Sequence, residues 1–428
     1  MANQDGRTEP GRKVWFFTSE LENERAGSFR QERWGKVFLG LGAEIAIFNV
    51  MGSLHLTVAR FEDEASFLAF RAEALTRAPL MASVREGLAV KLLRRIKHLA
   101  LVDFYLPNIL LLFFKALTRL LRSRDRVLIL CSSPPFALAF VGFLLKVLLP
   151  SRVQLVVDMR DAWALHPALG GIKGLKRAIE GAVLRRADHV STVSHGLRQE
   201  FETAYGIQVE VLYNVATHYF QGERATLDLT ELDPRIRPGA VKLVYTGSTP
   251  EGFYDLATIV GGVADFLAEH PEVSETLQLI FVGACQELAL EVARSGRPLG
   301  DAVVLVPHVS HARAKAIQNS ADALTFLAFP GQGNKGVVSA KFFEYLAQGK
   351  PIFPLSVVAG SDVDQLLERY AGGTCRLLTR EEIARQLYQV AIHGVRVLPR
   401  CQDGDRLKDL LNDYVRFATS LVSGKAAC

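Results

Sequence analysis

The stretch GVVSAKFFEYLAQGKPIF (336–353) places a lysine and a glutamate three residues apart in what reads as the first turns of an amphipathic helix. Ser339 suits the N-cap position, so the amides around Gly336, Val337 and Val338 can face an anion. Lys341 adds a full positive charge at the same end. Glu344 lies on roughly the same helix face, within reach of a neighbouring diol. A diphosphate joined to a ribose would satisfy all three features. The alternative is an ordinary helix with one incidental Lys–Glu pair.

Other polar clusters fall where apolar runs end. VVDMRDAWALHP (156–167) leaves a strand-like run into a turn holding Asp158, Arg160, Asp161 and Trp163. Alternation sends Asp158 and Arg160 to one side and Asp161 to the other. The set reads either as a structural ion pair or as a site where one acid accepts a proton from an attacking hydroxyl. SSPP (132–135) is a hydroxyl-bearing turn after another strand. In TSELENERAGSFRQERW (18–34), Gly27 and Ser28 precede a helix whose first turn carries Arg30. Such a loop suits phosphate or sugar oxygens, or is only a tight turn. YTGSTPEGFYD (245–255) repeats the arrangement with Gly247, Ser248 and Thr249, while FVG (281–283) and LVPHV (305–309, with His308 and Val309) end two further strands.

The elements that must position these groups alternate. Strands are expected at 13–19, 43–49, 126–131, 153–158, 189–193 and 209–213, then at 241–246, 277–282, 303–306, 323–327 and 351–355. Several are near-continuous apolar runs, as expected of strands covered on both faces. Strands alternating with helices imply parallel sheets of βαβ units. The fold expected is α/β, with two tandem Rossmann-like doubly wound domains facing a cleft. Residues 1–225 form the first and 226–404 the second, with the polar, Pro-punctuated stretch TELDPRIRPG (230–239) just ahead of the second domain's first strand. The amphipathic C-terminal helix within 405–428 is expected to pack back on the first domain. Ligands of such sheets sit beyond the carboxyl ends of the strands.

The chain has 428 residues, 49% hydrophobic and 22% charged, enough for two cores. Cys131, Cys285, Cys375, Cys401 and Cys428 are dispersed and form no CxxC, which argues for reduced thiols and against a zinc site or disulfide framework. The polar N-terminus has no secretory h-region. The apolar runs 100–114 and 136–150 are interrupted by Asp103 and Pro107, and by Lys146, and fall short of a spanning helix. A cytoplasmic location follows as the expectation. The net charge of +5 is concentrated in the first half, in KLLRRIKHLA (91–100) and KALTRLLRSRDR (115–126). Cations interleaved with leucines read as a solvated helix face or as peripheral contact with an anionic membrane on its inner face. No stacking platform accompanies them, so nucleic acid is not expected as a partner.

The segment GVVSAKFFEYLAQGKPI resembles the nucleotide-sugar-binding segment of retaining glycosyltransferases of the GT-B fold, especially the family 4 group. Further stretches are similar to that group in the same order: SSPPFALAFVGFLL, VVDMRDAW, RRADHVSTVSHGLRQEF, VLYNVATHYF and VYTGSTPEGFYDL. The resemblance runs from about residue 12 to about residue 360. It implies that Glu344 binds the nucleotide ribose and that Lys341 and the amides near Ser339 and Val338 bind the diphosphate. Gly247 and Ser248 would border the same donor, and His308 and Val309 the nucleobase. Gly27, Ser28 and Arg30 would form a donor/acceptor loop, and Arg160 and Asp161 would line the sugar and acceptor site as the catalytic candidates.

The sequence also departs from the group. Gly336 stands where many members carry a second, donor-sugar glutamate. GSTPEGFYD lacks the basic pair many place there, and Val215 replaces the glycine after Asn214. The resemblance implies a metal-independent, hexosyltransferase-type enzyme using a UDP- or GDP-linked sugar as substrate, with no cofactor. The acceptor expected is a hydroxyl of a lipid-linked or cell-envelope glycan, as in polysaccharide biosynthesis. A nucleotide-sugar epimerase on the same fold and a non-catalytic binding or scaffold subunit are the rival readings.

Overall fold

The computed structural model describes residues 12–19, 26–51, 55–81, 106–165, 172–215, 225–329, 336–401 and 407–423, without the side chains of 26–28, 51, 55, 75–81 and 106–108. The chain divides into two compact units, Met1–Asn214 with Leu410–Cys428, and Val215–Asp409.

In the first unit the strands are β1 (Lys13–Thr18), β2 (Glu44–Met51), β3 (His55–Phe61), β4 (Val127–Ser133), β5 (Val153–Met159), β6 (His189–Thr192) and β7 (Glu210–Val211). They form one sheet in the order β3-β2-β1-β4-β5-β6-β7. All neighbours are parallel except β3, which runs antiparallel to β2 from Ile45↔Phe61 to Met51↔His55. The helices are α1 (Ala26–Gly40), α2 (Glu64–Met81), α3 (Leu106–Arg122), α4 (Phe136–Leu148), α5 (Lys173–Arg186) and α6 (His195–Tyr205).

Central strands such as β4 and β5 are apolar almost throughout because helices cover both faces. Leu128 and Leu130 face one core and Ile129 and Cys131 the other. The run 136–150 forms α4, whose Ala139, Val141 and Leu145 are buried against the sheet. Among the described residues no helix is long and apolar enough to cross a membrane.

The second unit holds β8 (Val241–Thr246), β9 (Leu277–Val282), β10 (Val303–Val306), β11 (Ala323–Leu327) and β12 (Ile352–Leu355), with α7 (Leu256–Glu269), α8 (Gln286–Ser295), α9 (His311–Ser320), α10 (Ala340–Gln348), α11 (Asp362–Ala371) and α12 (Arg380–His393). Its sheet is parallel, in the order β10-β9-β8-β11-β12. Strand order reverses between β8 and β11, so the crevice at their carboxyl ends is the place where such a sheet takes a ligand.

The last helix, α13 (Lys408–Ser423), returns to the first unit. Its Tyr414, Phe417, Ala418 and Leu421 share a core with Trp34, Phe38 and Leu130. The stretch 230–239, expected just ahead of the second domain's first strand, lies in the second unit. Leu229 and Ile236 are buried, and Gln278 is hydrogen-bonded to both the Arg237 amide (2.7 Å) and the Arg235 carbonyl (2.8 Å). The division falls earlier, after Asn214.

Candidate functional site

The second unit brings Lys341, Glu344 and Gly247 together. The nine-residue α10 starts after Ser339, which takes the N-cap position without its side chain capping the first turn. The apolar residues of AKFFEYLAQ anchor the helix, with Phe342, Phe343, Tyr345 and Leu346 fully buried. The Tyr345 hydroxyl meets the Thr246 amide at 3.2 Å, which fixes α10 against the carboxyl end of β8.

Gly247 follows at once, at φ 155°. A Cβ built there would lie 1.9 Å from Lys341 Nζ, so the ammonium occupies the space that any side chain at 247 would need. Gly283, after β9, is held just as tightly: a Cβ there would lie 2.1 Å from the Gly247 carbonyl oxygen. The Tyr245 ring stands 5.2 Å from Lys341 Nζ, and its hydroxyl donates to the Ser248 carbonyl at 2.8 Å. Ser248 itself is exposed.

Burial sets the electrostatics. It pushes the Lys341 pKa below its usual value, against the opposing pull of Glu344 and Cys285. It pushes the Glu344 carboxyl upward, and His311, Lys341, Lys315 and a hydrogen bond from Gln318 only partly offset this. Each group is thus held closer to its neutral form than in water, and an arriving ligand of opposite charge or matching hydrogen bonds would restore the charged form. Glu344 is only 9% exposed, so most of the residue is walled in.

The residues missed from sequence lie mainly on α9. His311, Lys315 and Gln318 recur at helical spacing on one face, and that stripe in HARAKAIQNS was the available signal. Gln318 donates to Thr246 Oγ1 at 2.6 Å and accepts from Gln348, which ties α9, α10 and β8 into one buried polar group. His308 and Val309 lie on the loop from β10 into α9, His308 exposed and Val309 half-buried. Val338 is half-buried just ahead of the N-cap.

In the first unit, Arg160 and Asp161 follow the carboxyl end of β5. Asp161 is exposed. Arg160 binds back across the neighbouring strand end, its amide donating to the Ser133 carbonyl at 2.9 Å and its guanidinium to the Pro134 carbonyl at 2.6 Å. Trp163 stacks on Phe136 with centroids 4.5 Å apart. Glu180 of α5 accepts from the Trp163 amide (2.9 Å), the Ala164 amide (3.2 Å) and the Tyr205 hydroxyl (2.5 Å), so one buried carboxyl holds the turn.

Two expectations for this unit need correcting. Arg30 is not a loop residue facing a ligand: it is 0% exposed, and its guanidinium forms a two-point pair with Asp158 at 2.7 and 2.6 Å. It also donates to the Leu212 carbonyl at 2.6 Å and to Tyr414. Burial alone would lower its pKa, but Asp158 and Tyr414 more than reverse that. Gly27 and Ser28 do not precede the helix but lie in the first turn of α1, which starts at Ala26. The same ion pair decides the fate of Asp158, which goes to the core while Arg160 and Asp161 stay at the surface.

Residues 55–215 match the family model described as the glycosyl transferase 4-like domain. No curated protein sequence matches the chain. Among solved structures it is similar to sucrose-phosphate synthase from Thermosynechococcus elongatus, at 12% identity and TM-score 0.58, covering 97% of this chain and 100% of that one. It is similar to OtsA in its apo form, at 10% identity and TM-score 0.58, covering 96% and 99%. The catalytic domain of starch synthase IV from Arabidopsis thaliana, bound to ADP and acarbose, gives 10% identity and TM-score 0.51, covering 95% of each. At these identities the likeness shows the fold, which is that of the GT-B glycosyltransferases.

Proposed function

We propose that this chain, a family 4-like glycosyltransferase of the GT-B type, moves a sugar from a UDP- or GDP-linked donor to a hydroxyl of a lipid-linked or cell-envelope glycan, with retention at the anomeric carbon. The observation that carries the reading is the Lys341 ammonium seated against Gly247 at a strand end, with the buried Glu344 one turn further along α10.

In this reading Lys341 and the first-turn amides around Ser339 and Val338 take the diphosphate, with Gly247 giving the close approach. Glu344 accepts from the ribose hydroxyls. His308 and Val309 border the base. The bond from the anomeric carbon to the diphosphate oxygen breaks as the acceptor oxygen bonds on the same face. The acceptor proton passes to the departing phosphate oxygen, and the new negative charge is stabilised by Lys341 and the helix end. No resident metal is needed for that charge balance, and no separate base is required. Arg160 and Asp161 are assigned to handling the acceptor on the first unit.

A membrane-borne acceptor is supported by α3, which buries Ile109, Leu112, Ala116 and Leu120 yet leaves Phe114 60% and Leu121 63% exposed, beside Lys115 and Arg122. Apolar groups flanked by cations fit an anionic surface. The basic stretch 91–100 lies outside the described residues.

The test is transfer from UDP- and GDP-sugars to a lipid-linked glycan fraction, with the anomeric configuration of the product read by NMR. A product keeping the donor's configuration is expected. Inversion would overturn the retaining reading, and turnover of the sugar nucleotide without acceptor would favour the epimerase.

A further inference from the structure

A cavity of about 620 Å³ opens on the second unit, lined by neither Lys341 nor Glu344. Pro351, immediately before β12, lines it. In a parallel sheet this is the amino-terminal edge, opposite the edge where α10 begins. Its volume falls within the range of about 300–1,000 Å³ usual for small-molecule sites.

The lining has three kinds of group. Arg396 and Arg400 supply two guanidinium groups and are the charged residues of the lining among the described residues. Thr374 and Gln386 add hydroxyl and amide groups, while Val397 and Leu398 contribute apolar wall. Arg400 is set in place by the fold. Its Nε donates to the Gly349 carbonyl at 2.8 Å, its amide to the Ala371 carbonyl at 3.2 Å, and the residue bridges Pro351. That leaves its two terminal nitrogens without a partner among the described residues. Arg396 is exposed and has no carboxylate partner among them.

We propose that this cavity binds a sugar carrying an oxyanion, phosphate or carboxylate, with Arg396 and Arg400 on the anion and Thr374 and Gln386 on the ring hydroxyls. Guanidinium forks match planar or tetrahedral oxyanions two bonds at a time. Hydroxyl and amide side chains next to apolar wall suit a ring that is polar at its edge and apolar on its face. The assignment stands apart from the donor-site reading, because it uses none of that site's residues.

The test is isothermal titration calorimetry of the full chain with glucose 6-phosphate, glucuronate, inorganic phosphate and glucose, repeated on Arg396→Ala and Arg400→Ala. Saturable binding of glucose 6-phosphate or glucuronate is expected, tighter than that of glucose or inorganic phosphate, and weakened about tenfold or more in each variant. The first two ligands decide between a phosphate and a carboxylate. Arg396 is exposed and unpaired among the described residues, so its variant reports on binding even where Arg400→Ala disturbs the fold. Absence of saturable binding by both sugar anions, glucose binding as tightly as they do, or unchanged affinity in Arg396→Ala would overturn the proposal.

Discussion

Lys341 Nζ lies 1.9 Å from the point where a Cβ on residue 247 would stand. A cation on one element and a missing side chain on another therefore share a single volume at the end of β8. Gly247→Ala must displace the ammonium and also strain a backbone at φ 155°. The expected outcome is a loss of nucleotide-diphosphate affinity of about 10- to 100-fold, the range for a displaced charge-assisted hydrogen bond. Calorimetry with UDP and GDP checks it, and the circular dichroism spectrum should stay that of the parent.

The downward shift of Lys341 gives a pH prediction. Its ammonium is present below its folded pKa and is lost as pH rises through a value under the ordinary 10.5. Affinity for UDP or GDP should therefore fall on the alkaline side earlier than an ordinary lysine would dictate. Lys341→Arg, which stays charged, should flatten that limb while altering the affinity at neutral pH. An identical alkaline limb in the arginine variant would place its origin elsewhere.

Arg30, Asp158 and Tyr414 tie α1, β5 and α13 together at 0% exposure. Burial opposes ionisation of Asp158, but Arg30, Ser191 and Trp34 hold its pKa below the usual value. Its stabilising contribution is thus full above the unfolded carboxyl value of about 4 and is withdrawn as pH falls through the lower folded one. Asp158→Asn leaves a buried guanidinium uncompensated and should cost about 3–5 kcal/mol at neutral pH, read by urea unfolding. Tyr414→Phe removes the 2.9 Å bond to the Tyr213 carbonyl and one Arg30 partner, and should cost about 1–2 kcal/mol.

Glu180 answers for the turn after β5. Its carboxyl receives three donors, two of them the amides of Trp163 and Ala164. Glu180→Ala should destabilise by about 2–4 kcal/mol and loosen the stacking of Trp163 on Phe136. Tryptophan emission should shift, and the rate of sugar transfer should fall more than donor affinity, because Glu180 supports the first unit and not the Lys341 site.

Much of this was legible in the sequence because the physics is local. Parallel strands covered on both faces announce themselves as apolar runs, so of the twelve strands among the described residues ten, all but β3 and β7, are legible almost to their ends. β3 offers no such run: HLTVARF alternates polar and apolar residues, as an antiparallel edge strand does, and that alternation is the signal it carries. β7 shrinks to Glu210–Val211 because only two residues find partners on β6. In the candidate site, Lys341 and Glu344 sit three apart on one helix, so spacing alone singles them out. It does not single out His311 and Gln318, since they reach that carboxylate from another helix. Arg30 was misjudged because its partner Asp158 lies 128 residues away, and burial at that range leaves no mark on a local pattern.

The central claim is that the start of α10 holds a nucleoside diphosphate. The most direct measurement is calorimetric binding of UDP and GDP to the intact chain and to Lys341→Ala and Glu344→Ala. Saturable binding of at least one nucleotide, weakened about tenfold or more by each substitution, is predicted. Binding of neither nucleotide by the unmodified protein, or equal affinity in both variants, would contradict it.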